Sequence, residues 1–363
     1  MRRDPSSSSS PAKRSKSPKP NPHLPAEHPT VKHGKIGVLL INLGTPDATD
    51  YFSMRRYLKE FLSDQRVIEE NPVIWWFILN GIILSKRPFS SGEAYKSIWN
   101  KEKNESPLKT ISRSQAEKVA NEVANNQEII VDWGMRYGNP STKSRLEALQ
   151  KQGCDRILLF PLYPQYAAAT TATACDKAFD ALKEMRWQPT IRIVPPYFEN
   201  PDYIEAIADS IQDHIAEIEW SPEVVIASYH GLPKRYFEAG DPYHCHCAKT
   251  TRLLQQRLRW SDQKLRMTFQ SRFGKEEWLQ PYTDETVKQL AEEGVKRLAI
   301  VCPGFAADCV ETLEEIALEA GEIFKEHGGE QFTLIPCLND SPDGVRVLTG
   351  CIKNELQGWL DKN

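Results

Sequence analysis

The 363-residue sequence predicts an α/β protein of two duplicated domains, each a small parallel sheet flanked by helices, with a cleft between them. Three observations carry this. Short, largely apolar runs recur along the chain, separated by helical patterns, which marks strands buried on both faces of a parallel sheet. These runs fall into two successive sets. The second set also echoes the first in letters: LQKQGCDRILLFP at 149–161 answers LAEEGVKRLAIVC at 290–302, with Leu, Gly and Arg in register at an offset of 141, and MRYG at 135–138 answers SRFG at 271–274. A period this long is a domain duplication, not a solenoid.

Residues 1–33 come first in chain order. They hold seven Lys/Arg, two Asp/Glu, seven prolines and a run of five serines. Such a segment has too little apolar surface to offset its conformational entropy and is expected to be a disordered basic tail with no part in the chemistry. Its prolines oppose the amphipathic helix of a transit peptide. Its charge of +5 leaves −8 on the body of a chain whose net charge is −3, so no nucleic-acid partner is expected.

The first half is expected at 34–205. Ile36–Leu43 reads as a buried strand stopped by Gly44-Thr45-Pro46. A mostly helical insertion, 51–123, follows. Glu128–Trp133 is the second strand, with 134–138 leaving it. Ser144–Gln152 is a helix, and Arg156–Tyr163 and Thr190–Val194 complete the set. The second half, 206–340, repeats the scheme with strands at Val224–Tyr229, Leu265–Gln270, Arg297–Cys302 and Phe332–Pro336. The remainder, 341–363, is a C-terminal helix expected to pack back on the body.

Candidate chemistry gathers at one edge. His230 follows the run Val224–Tyr229 and precedes Gly231 and Pro233, so it sits at the carboxyl end of a strand, where open α/β sheets bind ligands. Histidine there takes protons or binds metal. A helix is expected from about Cys309, with glutamates at 311, 315, 319, 322 and 326 on one face. Alone, the histidine reads as a loop side chain and the acids as a solvated face. Together, an imidazole and the Glu311 carboxylate from the same sheet edge offer N and O ligands to a divalent metal such as Fe²⁺. The block from Val73 to Leu84, VIWWFILNGIIL, is too short to span a membrane and reads as a core helix, a ligand lip or a membrane surface. Arg87 and Arg136 are placed to pair with ligand carboxylates.

The eight cysteines mostly lie in or beside apolar runs, which suits reduced thiols. His244-Cys245-His246-Cys247 offers metal ligands but lacks a second paired motif.

Several motifs taken together resemble the ferrochelatases. VIASYHGLPKRYFEAGDPY at 225–243 is similar to the signature segment of that family. LLINLGTP (39–46), LYPQY (162–166), WLQPYTDE (278–285) and FAADCVETLEE (305–315) look like its other segments, in the same order. The resemblance runs from about Gly34 to Asp361. It implies two Rossmann-like halves with the porphyrin in the cleft, and insertion of Fe²⁺ into protoporphyrin IX to give protohaem, the last step of haem biosynthesis. Carried over by position, His230 and Glu311 form the expected iron site. Asp308, Glu315 and Glu319 match supporting acids. Leu43, Arg87, Tyr95, Trp278 and Phe305 match pocket positions, with Arg136 and Tyr166 beside them, and 73–84 lies in the apolar lip. No cofactor beyond the substrate iron is expected. The chain stops at Asn363 without the C-terminal cysteines of the animal enzymes, and Ala168 stands where their further ligand falls, so an animal-type [2Fe–2S] cluster is not expected; the sequence leaves open a cluster built on Cys245 and Cys247. Cys309 replaces a histidine of many relatives, so no relay through such a residue is expected. The resemblance places the protein in the cytoplasm, with peripheral inner-membrane contact through 73–84.

Competing readings are a coproporphyrin or cobalt chelatase on a related tetrapyrrole, and a non-catalytic haem or porphyrin carrier. The acidic row is superfluous for a carrier. Nucleotide-dependent chemistry lacks a G-x-G-x-x-G after any strand.

Overall fold

The computed structural model describes residues 28, 31–124 and 128–360; the tail read at 1–33 lies almost wholly outside them. The chain forms two four-stranded parallel sheets. The first comprises β1 (Lys35–Thr45), β2 (Ile129–Gly138), β3 (Cys154–Pro161) and β4 (Thr190–Ile193), in the order β2-β1-β3-β4. The second comprises β5 (Val224–His230), β6 (Leu265–Gln270), β7 (Arg297–Val301) and β8 (Gln331–Ile335), in the order β6-β5-β7-β8. The two orders are the same, so the duplication read in the letters is also one of topology.

The apolar runs form central strands because both of their faces are covered. Along β1, Val38 and Leu40 join one core cluster while Leu39 and Ile41 join another on the opposite face. Along β5, Val225, Ala227 and Tyr229 share the cluster of Val38 and Leu40, and Val224 and Ile226 face a third. One core therefore runs between the two sheets. Each large apolar side chain buried in it contributes about 1.5–3 kcal/mol. In both sheets the strand order reverses beside β1 and β5, which opens a crevice at their carboxyl ends.

β2 does not stop where the sequence reading stops it. It continues through Gly138, with Tyr137 paired to Gly44 and Gly138 to Thr45. The glycines read as turn signals serve close approach instead: a Cβ on Gly44, whose φ is 120°, would lie 1.9 Å from the Tyr137 carbonyl oxygen.

The insertion is helical as expected, with helices Tyr51–Leu62, Pro72–Ile78, Leu84–Ile98 and Pro107–Glu122 and a π-helical turn at Leu79–Ile83. Its apolar block divides. Leu79 and Leu84 are buried, whereas Trp76, Phe77 and Ile82 are 56%, 65% and 60% exposed. The final helix, Pro342–Glu355, packs on helices Pro107–Glu122 and Pro201–Glu217. Among the described residues no helix is long and apolar enough to cross a membrane.

Candidate active site

The carboxyl edges of both sheets open into one cavity of about 390 Å³. From the first half, Asn42 and Leu43 come from β1, Tyr163 and Gln165 from the loop after β3, and Arg87 from the insertion. His230 at the end of β5, Trp278, Phe305 and an acidic row come from the second half.

Local structure fixes His230. Gly231 follows it because a side chain there would meet the Gln270 carbonyl oxygen at 2.8 Å and the Trp278 ring at 3.1 Å. The His230 ring nitrogen Nδ1 lies 2.7 Å from the Gly231 carbonyl oxygen. A carbonyl only accepts, so Nδ1 carries the proton and the Nε2 lone pair is left free.

The acidic helix differs from the continuous α-helix expected. It runs α at Val310–Leu313, π at Glu315–Ala320 and α again at Gly321–Glu326. The Glu319 amide donates to the Glu314 carbonyl, five residues back, at 3.0 Å. This wider turn places Glu314, absent from the expected row, on the cavity wall with Glu311, Glu315 and Glu319. Glu322 and Glu326 are exposed and do not line it.

Glu315 accepts hydrogen bonds from the Ser271 amide at 2.6 Å, from the Ser271 hydroxyl, and from Gln270 Nε2 at 3.3 Å. Burial pushes its carboxyl above the ordinary value, against the opposing pull of Ser271 and His230. Glu314 is raised too, by burial first and then by Glu319, Glu315 and Glu311. Gln270 also donates to the Glu311 carbonyl at 2.6 Å, tying β6 to the start of the helix.

Four other expected residues sit outside the cavity lining. Asp308 is buried in a structural network, accepting from Thr312 Oγ1 at 2.9 Å and from Asn339 Nδ2 at 2.6 Å. It anchors the acidic helix rather than facing a ligand. Tyr95 is buried behind the wall, edge-on to Tyr57 at 6.4 Å. In LYPQY the residues on the cavity wall are Leu162, Tyr163 and Gln165, not Tyr166. Arg136 lies within β2, ion-paired with Asp64 and bonded to Thr173 Oγ1 at 2.6 Å. It is neutralised inside its own half and reaches no cavity ligand.

Leu43, Arg87, Trp278, Phe305 and Glu319 all line the cavity. Tyr163 Oη, Gln165 Oε1 and Trp278 Nε1 are buried without a hydrogen-bond partner among the described residues. Buried polar atoms are rarely left so, and these three orphans mark where a bound molecule or water completes the wall. Burial lowers the Arg87 pKa with no charged neighbour contributing, and its guanidinium stands 5.5 Å over the Phe273 ring.

The His-Cys-His-Cys run is helical, within Tyr243–Leu258, which turns its side chains apart. Cys245 is exposed and Cys247 buried. His246 stacks on Phe198 at 3.7 Å, and its Nδ1 accepts the Tyr166 amide at 3.1 Å. With Asp241, which accepts the Ala168 amide at 2.8 Å, it holds the loop that supplies Tyr163 and Gln165. No group of three or more His, Cys, Asp or Glu among the described residues is gathered closely enough to hold a metal ion.

Burial lowers the His246 pKa, against a weaker opposing pull from Asp241 and Glu199. Between that lowered value and the free imidazole's ~6.5, the unfolded chain binds a proton the folded chain does not. Stability therefore falls as pH drops below ~6.5. His246→Phe keeps a stacking ring and removes the titration. Its melting temperature is expected to drop less between pH 7.5 and 5.5 than the wild type's; an equal drop rejects the assignment.

The ferrochelatase family model matches residues 35–356. Ferrochelatase from Allorhizobium ampelinum is 63% identical over 338 residues, covering 93% of this chain and 98% of that protein. The Rhizobium meliloti ferrochelatase is 61% identical over 334 residues, covering 92% and 98%. Among solved structures, SirB from Bacillus subtilis with Fe³⁺ aligns with a TM-score of 0.54 at 12% identity, covering 91% of this chain and 100% of that one. DR2241 from Deinococcus radiodurans, described as structurally similar to chelatases, aligns at 0.52 and 10% identity, covering 88% and 55%. These distant structures share the fold; the family rests on the match over most of the chain and on the close relatives, and the chain belongs to the ferrochelatase family.

Proposed function

We propose that the chain inserts Fe²⁺ into protoporphyrin IX with His230 as the base that removes pyrrole protons. The observation that carries this is the His230 tautomer: Nδ1 is occupied by the Gly231 carbonyl at 2.7 Å, which leaves Nε2 as a free proton acceptor beside an acidic row. Insertion releases two N–H protons and leaves the iron oxidation state unchanged, so the chemistry needs a base and ligands but no redox cofactor. Glu311 supplies an oxygen ligand from the same cavity wall. Glu315, raised by burial and electrostatically linked to His230, takes a proton more readily than a solvated carboxylate does. Glu314 and Glu319 continue the carboxylate row along the wall.

The test is to mix purified protein, Fe²⁺ and protoporphyrin anaerobically and follow protohaem by absorbance. Catalysed formation is expected. Turnover on coproporphyrin alone, or tight binding with no turnover, rejects the reading in favour of a relative or a carrier. Arg87, with no carboxylate partner among the described residues, is the proposed anchor for a porphyrin propionate. A bidentate charge-assisted bond is worth about 1.5–3 kcal/mol, so Arg87→Met should raise the porphyrin KM at least about tenfold; an unchanged KM removes Arg87 from the site.

The exposed side of the lip, with Trp76, Phe77 and Ile82 turned outward, is the proposed contact with the membrane surface in the cytoplasm. A large exposed apolar patch of this kind marks a partner or membrane face. Sedimentation with lipid vesicles tests it.

A further inference from the structure

The lip helix Pro72–Ile78 has no buried residue of its own. Within it Trp75 is half-buried and donates its indole N–H to the Leu62 carbonyl at 2.7 Å, and Leu79 just beyond it is buried. These anchors lie in the first half, and the hold from the second half comes through the chain that leads into the helix. That chain, Val67–Glu70, is gripped from across the cleft. Tyr236 of the second half donates its hydroxyl to the Val67 carbonyl at 3.0 Å and accepts the Glu69 amide at 3.3 Å. Its ring is buried and lines the cavity opposite Val67. Arg235 stands over that ring at 4.6 Å and donates to the Glu69 carbonyl at 3.3 Å. The same guanidinium ion-pairs with Glu69 and Glu70 of the first half, each at 3.7 Å, and with Glu276 of the second half at 2.9 Å.

We infer that Arg235 and Tyr236 are positioning residues for the porphyrin: a clasp that spans the two halves and holds the lip closed over the cavity. The charges show why the pair is needed. Glu69 and Glu70 come from one half and Glu276 from the other. Without the arginine between them these carboxylates repel each other across the cleft mouth. Each exposed ion pair is weak alone. The buried tyrosine hydroxyl is the firmer part, because it satisfies two backbone groups of one short loop at once. The clasp deepens the reading of the cavity as a porphyrin site, on which its ligand rests.

The test uses the full chain without substrate first. Arg66 lies just before the gripped stretch and is exposed, as is Arg259, far from it in sequence. Limited trypsin digestion should cut Tyr236→Phe after Arg66 roughly tenfold faster than the wild type, with cutting after Arg259 unchanged. Arg235→Gln should do the same to a lesser degree, and Arg235→Lys should restore most of the protection. Protoporphyrin binding, followed by quenching of tryptophan fluorescence, should weaken about tenfold in Tyr236→Phe. In Arg235→Gln the porphyrin KM should rise with kcat retained. Equal acceleration at Arg66 and Arg259 means general loosening and overturns the clasp, as does unchanged cleavage at Arg66 or unchanged porphyrin affinity. The digestion needs no turnover, so a protein that fails to make protohaem while showing the selective cleavage keeps the clasp and loses the chelatase reading.

Discussion

His230→Ala is expected to lose at least about a hundredfold in the rate of iron insertion, the low end for removing a general base. The reason lies in how few proton acceptors the cavity offers. The carboxylates of the acidic row come from one helix, and Glu315 already accepts three hydrogen bonds from Ser271 and Gln270. Among the described cavity residues His230 presents an imidazole nitrogen, Nε2, whose ring is oriented by the bond from Nδ1 to its own neighbour's carbonyl. Removing the ring leaves proton removal to water or to a carboxylate, without touching the first-half wall or Arg87. Porphyrin affinity should therefore stay within about threefold of the wild type's while kcat falls, the pattern of a lost transition-state interaction. Near-normal turnover in this variant sinks the assignment. A fall in affinity as large as the fall in rate would make His230 a binding residue instead.

The fold was legible because its determinants are local and repeated. Each apolar run of β1 and β5 is short, flanked by glycine or proline, and buried on both faces. The duplication supplied a second copy against which to check the first. The site was legible where a residue stands at a strand end, as His230 does, since the end of an apolar run fixes its place. It was less legible where a choice of face or turn decides. Met135 and Tyr137 are fully buried, and their pairing with β1 carries β2 past glycines that look like stops. In Leu162–Tyr166 a shift of one residue separates the cavity wall from the outside. Nothing in the letters EEIALEA distinguishes a π-turn from an α-turn, because the two differ by one backbone hydrogen-bond step that tertiary packing selects. Glu314 was missed for that reason.

The largest stability effect is expected far from the iron chemistry, at Asp64. Its Oδ2 takes the Arg136 guanidinium, the Thr173 hydroxyl and the Tyr137 hydroxyl, the last at 2.8 Å, while Oδ1 accepts the Arg66 amide at 2.8 Å. Burial works to raise its pKa, but the bonds from Thr173, Arg66 and Tyr137 and the Arg136 charge outweigh it, and the net shift is downward. A depressed carboxyl stabilises the fold above its unfolded pKa of ~3.9, and that contribution is lost as pH falls below it. Asp64→Ala does more than remove this. It strands the Arg136 guanidinium, whose side chain is only 10% exposed, without a counter-charge. Breaking a buried pair from one side costs about 3–5 kcal/mol, against total stabilities of about 5–15 kcal/mol. The variant should therefore melt roughly 10 °C or more below the wild type. Replacing both partners, Asp64→Leu with Arg136→Leu, should cost less than Asp64→Ala alone, because no charge is then left buried. The double-mutant cycle by thermal melting decides the matter. Additive losses would show that the pair is not coupled, and would return Arg136 to the pool of residues free to hold a ligand carboxylate.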